Sequence, residues 1–158
     1  MTTGTPLWTP SAERIAALPL PAFRAEAARR AGRDLASYGE LHDWAVAAPE
    51  ACWNLVWDFC GMAGDKGGTV LADGDRMPGA SFFPEARLNY AENLLGRGGK
   101  GEAIVFRGED KVERRLTWVE LEALVSRLQQ LFVALGDRAG DRVAAMLPHM
   151  GEPVAAML

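Results

Sequence analysis

The sequence predicts an α/β protein in which a helical N-terminal region leads into the first elements of a larger sheet-bearing domain. Three observations carry this. Proline-punctuated helical segments fill the first third. Two short β-like runs then flank a polar turn, and a long amphipathic helix runs into a further apolar β-like run. A strand, a long helix and a second strand in that order are the grammar of a βαβ unit.

The helices are justified one by one. Ser11 can cap a short helix through Leu18. Pro21 suits the first turn of a second helix that Gly32 ends. Ser37 and Glu40 have capping-box spacing and open a third, with Tyr38, Leu41, Trp44 and Ala48 near one face. Pro49 starts a fourth, ending at Gly61. Trp53, Val56, Trp57 and Cys60 make one apolar stripe on it, and Cys52, Leu55 and Phe59 a second. Two stripes imply burial on more than one side. A core role for these aromatics outweighs a cofactor-stacking one.

Residues 61–80 are rich in Gly and Asp and read as a connecting loop with one β-like run at Thr69-Val70-Leu71. In the segment 81–95, Leu88, Ala91, Leu94 and Leu95 take helical spacing. Residues 96–101 (GRGGKG) form a glycine linker. Residues 103–106 and 114–117 then flank a polar turn at Gly108-Glu109-Asp110-Lys111, the pattern of a hairpin. A second capping box, Thr117 with Glu120, opens the most regular helix, whose Leu121, Leu124, Val125, Leu128, Leu131, Phe132 and Leu135 keep helical rhythm up to Gly136. Gly140-Asp141 turns into an expected strand at 142–147, broken by Pro148. Residues 152–158 look like the opening of an apolar helix with Pro153 early and no cap at its far end. The expected chain is therefore the front part of a larger enzyme.

Bulk properties narrow the function classes. The 158 residues are 49% hydrophobic and 24% charged, which suits a packed domain and not a disordered chain. Net charge is −4 and no basic run exceeds two residues, which argues against nucleic acid. No apolar stretch approaches the roughly 20 residues that span a bilayer, and the first residues have no secretory pattern. Eight residues separate Cys52 from Cys60, about 12 Å along a helix. That is too far for a disulfide, so two buried free thiols and a cytoplasmic setting are expected.

Each chemical motif meets a plainer competitor. Gly96, Gly98 and Gly101 match a dinucleotide fingerprint, but that loop works only after a strand and before a helix. Here the order is reversed, so a linker is the better reading. Lys100 sits among glycines, yet a phosphate-binding P-loop needs Gly at position 94 and Ser or Thr at 101, which hold Leu94 and Gly101. His42, His149, Cys52 and Cys60 lack metal-ligand spacing. Asp141 and Arg142 read as a turn carboxylate beside a solvated guanidinium. His149 lies just past an expected strand end, where open α/β sheets hold ligands, and is a substrate-contact candidate in a whole enzyme.

Taken together, PLW near the start, YGELHDWAVAAPEACWNLVWDFCG and MPGASFFPEARLNYAENLL resemble the N-terminal region of acetoacetate–CoA ligases and, more loosely, acetyl-CoA synthetases. Downstream, EAIVFRGED, LTWVELEALVSRL and LGDRAGDRVAAMLPHMGEPVAAML resemble the opening of an adenylate-forming ligase domain. The resemblance covers nearly the whole chain through the order and spacing of these segments. It implies a helical cap at 1–95, the linker 96–101, and the incomplete start of an AMP-binding domain at 102–158. It also implies formation of an acyl adenylate from ATP and acetoacetate, with Mg²⁺ shielding the phosphates, followed by attack of the CoA thiol. The phosphate loop, metal-binding carboxylate, ribose-binding Asp and catalytic Lys of such enzymes have no match here. The only Thr/Gly run is Thr2-Thr3-Gly4-Thr5. No catalytic, cofactor-binding or metal residue is therefore carried over, and the chain alone is expected to be inactive. Two rivals remain: a different short-chain acid–CoA ligase (acetyl or propionyl), and a non-catalytic helical interaction module. Without sheet neighbours for the last strand, apolar Val143, Met146 and Met157 would be uncovered and self-association is expected.

Overall fold

A computed structural model describes residues 7–96, 98–109 and 112–158. Residues 1–6 with the Thr2–Thr5 run, Arg97 of the linker, and Asp110 and Lys111 of the expected turn lie outside it. The chain divides into two compact units, one running to Arg87 and the other Leu88–Leu158.

The first unit is built on four helices, α1 (Ala12–Ala16), α2 (Pro19–Ala31), α3 (Tyr38–Ala47) and α4 (Pro49–Phe59). Ser11 caps α1, accepting from the Arg14 N–H. That helix stops at Ala16, not Leu18. Leu18 precedes Pro19, whose ring disfavours a helical residue before it, and Leu18 is extended at ψ 155°. Helix α2 starts at Pro19, two residues before the expected Pro21. Both prolines fall in the first turn, where their missing N–H groups would have no partner anyway. Gly32, at φ +65°, ends it in the left-handed region. The Ser37–Glu40 capping box forms in full, with both reciprocal bonds.

Ala27, Leu35, Leu41, Trp44 and Leu55 close the core of this unit. The expected two-sided packing of α4 is present. Phe59 meets Phe23 of α2 edge-on at 5.2 Å, while Trp53 and Trp57 lie 5.2 and 5.0 Å from Phe82 and Phe83. Tyr38, expected on the buried face of α3, is exposed. The β-like run expected at 69–71 contributes only its last residue, Leu71, to a small antiparallel ribbon. The ribbon consists of β1 (Leu71–Ala72) and β2 (Ser81–Phe82), with Leu71 opposite Phe82. Thr69 and Val70 stay outside it. A carboxylate latch holds the approach to the ribbon: Glu85 accepts from the Gly68 N–H at 2.8 Å and from the Thr69 hydroxyl at 3.1 Å.

The second unit begins with α5 (Tyr90–Leu95), shorter than the helical spacing suggested because Asn89 caps it and leaves Leu88 outside. The hairpin β3 (Glu102–Arg107) and β4 (Glu113–Thr117) forms as expected, with Val105 opposite Arg115 and Phe106 opposite Arg114. Helix α6 (Trp118–Leu135) opens on the complete Thr117–Glu120 box and ends at Gly136, φ +95°. Helix α7 (Gly151–Met157) starts where a Cβ on Gly151 would stand 3.1 Å from Leu116 Cδ1, so glycine permits its close approach to β4. Leu121 and Ala155 are buried.

One expected element is missing. Residues 142–147 form no strand, and among the described residues no backbone hydrogen bond reaches them. A strand exists only through its ladder, and β3 and β4 pair with each other. The βαβ grammar is thus not completed within these residues. The two compact units part between Arg87 and Leu88. Ala91 and Leu95 of α5 line a groove with α6 and α7, which places α5 in the second unit.

Candidate functional site

The structure scatters the singled-out residues. His42 is exposed on α3, its Nδ1 3.7 Å from Asp43. Cys52 is half-buried on α4, and removal from water pushes its thiol above the ordinary range, away from the reactive thiolate. Cys60, expected to be buried, is exposed at the end of the same helix, because α4 stops at Phe59 and turns its last residues outward. Both thiols are free.

In the second unit, Gly96 closes α5 and Gly98 and Gly99 follow at φ +45° and +117°, before β3. Helix before and strand after is the reverse of a dinucleotide loop, and where the bend meets the start of α6 it is the Gly101 carbonyl that accepts from the Trp118 N–H at 3.1 Å. Lys100 is exposed in the same bend. Asp141 accepts from the Arg138 N–H at 2.7 Å, the turn role expected of it. Arg142 and His149 are exposed on either side of the unpaired stretch. Among the described residues no group of three or more His, Cys, Asp and Glu could hold a metal ion.

A groove of about 640 Å³ lies between α5, α6 and α7 in the second unit. Its walls are mainly apolar, with Asn89, Glu92, Gln129 and Asp141 as the polar groups. Two carboxylates and no Lys or Arg make a poor cradle for phosphates, whose binding needs positive charge or converging N–H donors. The Asn89 side chain is already engaged, accepting from the Glu92 N–H at 2.9 Å. Sequence reasoning missed that cap, although Asn89-x-x-Glu92 has the spacing that marked Ser37 and Thr117.

Charged clusters elsewhere are structural. Asp58 of α4 accepts from Lys66 and Arg30, both at 2.9 Å, and these cations hold its carboxyl below the ordinary range, Lys66 first. Arg115 bridges Glu102 and Glu113 across the hairpin. Arg114 of β4 pairs with Glu152 of α7.

Comparison with known proteins supplies what the geometry does not. No protein-family model matches the sequence. An acetoacetyl-coenzyme A synthetase of Rhizobium meliloti (strain 1021) is 54% identical over 97% of this chain, which spans 24% of that protein. The solved structure of acetoacetyl-CoA synthetase from Streptomyces lividans superposes at a TM-score of 0.81 and 35% identity. That match covers 98% of this chain and 24% of the solved one. The chain matches the N-terminal portion of acetoacetyl-CoA synthetases. A relative with another acid in its name, malonamoyl-CoA synthetase vrtB of Penicillium aethiopicum, is 31% identical over 96% of this chain. The resemblance seen in the segment order thus extends across both units, and the fold agrees with that region of the synthetases. The chain spans about a quarter of the length of these relatives.

Proposed function

We propose that this chain provides the N-terminal region of a cytoplasmic ATP-dependent acid–CoA ligase acting on acetoacetate. The complete enzyme converts acetoacetate, ATP and CoA into acetoacetyl-CoA, AMP and pyrophosphate. The 54% identity to the Rhizobium meliloti synthetase, sustained over nearly every residue here, carries this reading. In it, residues 1–95 are a helical cap, 96–101 a linker, and 102–158 the opening of the AMP-binding domain. The described residues do not fit a Mg²⁺ site or a phosphate cradle, so ATP, Mg²⁺ and CoA are assigned to the remainder of the enzyme and no chemical step to this chain. Its contribution is scaffolding. The partner is a small carboxylic acid, and neither nucleic acid nor membrane; no helix of the described residues is long and apolar enough to cross a bilayer.

The test is a chimera in which this chain replaces the matching quarter of the Rhizobium meliloti synthetase. Acetoacetate-dependent AMP release is expected from it, and none from the 158-residue chain alone. A chimera that folds and binds substrates but releases no AMP would show that this chain cannot serve as the N-terminal region of that ligase and would remove the assignment. Release by the isolated chain would overturn the scaffolding role.

A further inference from the structure

The first unit carries an apolar knob and an apolar hole. Leu7 is fully bare, and the adjoining Trp8 is 69% exposed. The Arg14 guanidinium stands over the Trp8 ring at 5.8 Å, a cation–π contact that ties the leading segment to α1. Ile15, next to Arg14 on that helix, joins Leu18, Leu20, Pro21, Tyr38 and Leu41 around a hole of about 110 Å³. Arg24 completes the wall, its guanidinium already donating to the Ala36 carbonyl at 3.0 Å. At about 30 Å³ for each water-sized group, the hole suits the four carbons of a leucine side chain and is too small for an indole. Leu7 does not line the hole of its own chain. Tyr38, on the face of α3 that the sequence would bury, stands exposed in this wall.

We propose that this surface is a contact between two copies of the chain, in which Leu7 of each copy fills the hole of the other. The contact uses the first unit alone and stands or falls apart from the ligase reading. Two observations select a second copy. Knob and hole belong to one unit, the self-complementary arrangement that a two-fold contact requires. The area also suffices. The uncovered parts of Leu7, Trp8, Ile15, Leu18, Leu20 and Tyr38 come to on the order of 700 Å², close to the roughly 800 Å² that each partner gives to a standard interface. Soluble monomers leave patches of only about 300–600 Å² bare.

Sedimentation of the chain across a concentration series tests this. A dimer is expected, and Leu7→Asp and Leu18→Asp should each raise its Kd on the order of 100-fold or more, because a two-fold contact loses the same burial twice. Both variants should melt with the parent. Leu7 is bare, and Leu18 is the N-cap of α2 without a side-chain bond, a position that favours Asp. Mixing the two variants is the decisive step. The mixed pair keeps one intact knob and one intact hole, so it should dimerise about 10-fold or more tighter than either variant alone. A merely adhesive surface gains nothing from mixing. A monomer at every concentration, a dimer indifferent to both substitutions, or no recovery on mixing would overturn the proposal. So would a dimer lost in Met146→Asp but kept in Leu7→Asp, which would move the contact to the apolar stretch of the second unit.

Discussion

Leu55 offers the sharpest test of how the first unit is held together. It lies on α4, is fully buried, and sits in one cluster with Ala27, Leu35, Leu41 and Trp44. Leu55→Ala deletes three carbons, a transfer loss of about 2.4 kcal/mol at roughly 0.8 kcal/mol per methylene. The void adds to this, because Leu35 and Trp44 belong to different elements and cannot both move in without giving up their own contacts. The expected total is about 3–4 kcal/mol, inside the range of roughly 3–5 kcal/mol for Leu→Ala at rigid sites. In a unit of this size about 1 kcal/mol moves Tm by roughly 4–8 °C, so melting should fall by at least about 12 °C. Urea and thermal melts followed by tryptophan fluorescence read the right region, since Trp8, Trp44, Trp53 and Trp57 all lie in the first unit. Val46→Ala on α3, where the side chain is 67% exposed, should stay within about 0.5 kcal/mol of the parent. A loss at Leu55 below about 1 kcal/mol, or equal losses at both positions, would refute the assigned core.

Further outcomes follow from local geometry. Gly67→Ala should destabilise more than Gly32→Ala. Both sit at positive φ, but a Cβ at 67 would stand 2.6 Å from Glu85 Cβ while one at 32 meets open space, so Gly32→Ala should cost only about 1 kcal/mol in a urea melt. Thr117→Ala should cost about 1 kcal/mol by removing the α6 cap, with Thr117→Ser restoring most of it; equal melts for both variants would contradict the capping role. Asp58, its carboxyl held low by Lys66 and then Arg30, should stabilise the fold above the ordinary carboxylate pKa near about 4 and lose that contribution as pH falls through its depressed folded value. Asp58→Asn should therefore flatten the acid limb of stability against pH, and an unchanged limb would show the pairs to be inconsequential.

The legible parts of this chain are those whose cause is local. The two Ser/Thr–Glu boxes were readable because three residues of spacing fix both bonds, and both formed. The hairpin and α6 were readable from period and turn chemistry. The start of α2, expected at Pro21, fell two residues earlier at Pro19, since either proline suits a first turn. The β1–β2 ribbon was legible only at Leu71, the end of the β-like run at 69–71. Its strands are two residues long, and it depends on Trp53 and Trp57 of α4 meeting Phe82 and Phe83, a contact between distant segments. Cys60 misled for a related reason: an apolar stripe shows which side of a helix is sticky, not how far the neighbouring elements extend along it.

The candidate site divides in the same way. Sequence order alone set aside Gly96–Gly101 as a phosphate loop, because what precedes and follows a loop is written in the chain. By itself the sequence determined the helical caps, the hairpin, the long helix and the likeness to acetoacetyl-CoA synthetases, all of which rest on short-range pattern or on segment order. Only the tertiary structure decided which apolar residues are covered. It buried Leu55 and Leu121, exposed Cys60 and Tyr38, and left 142–147 without a ladder. The physical reason is that a helix satisfies its own backbone, whereas a strand becomes one only when another segment supplies the hydrogen bonds.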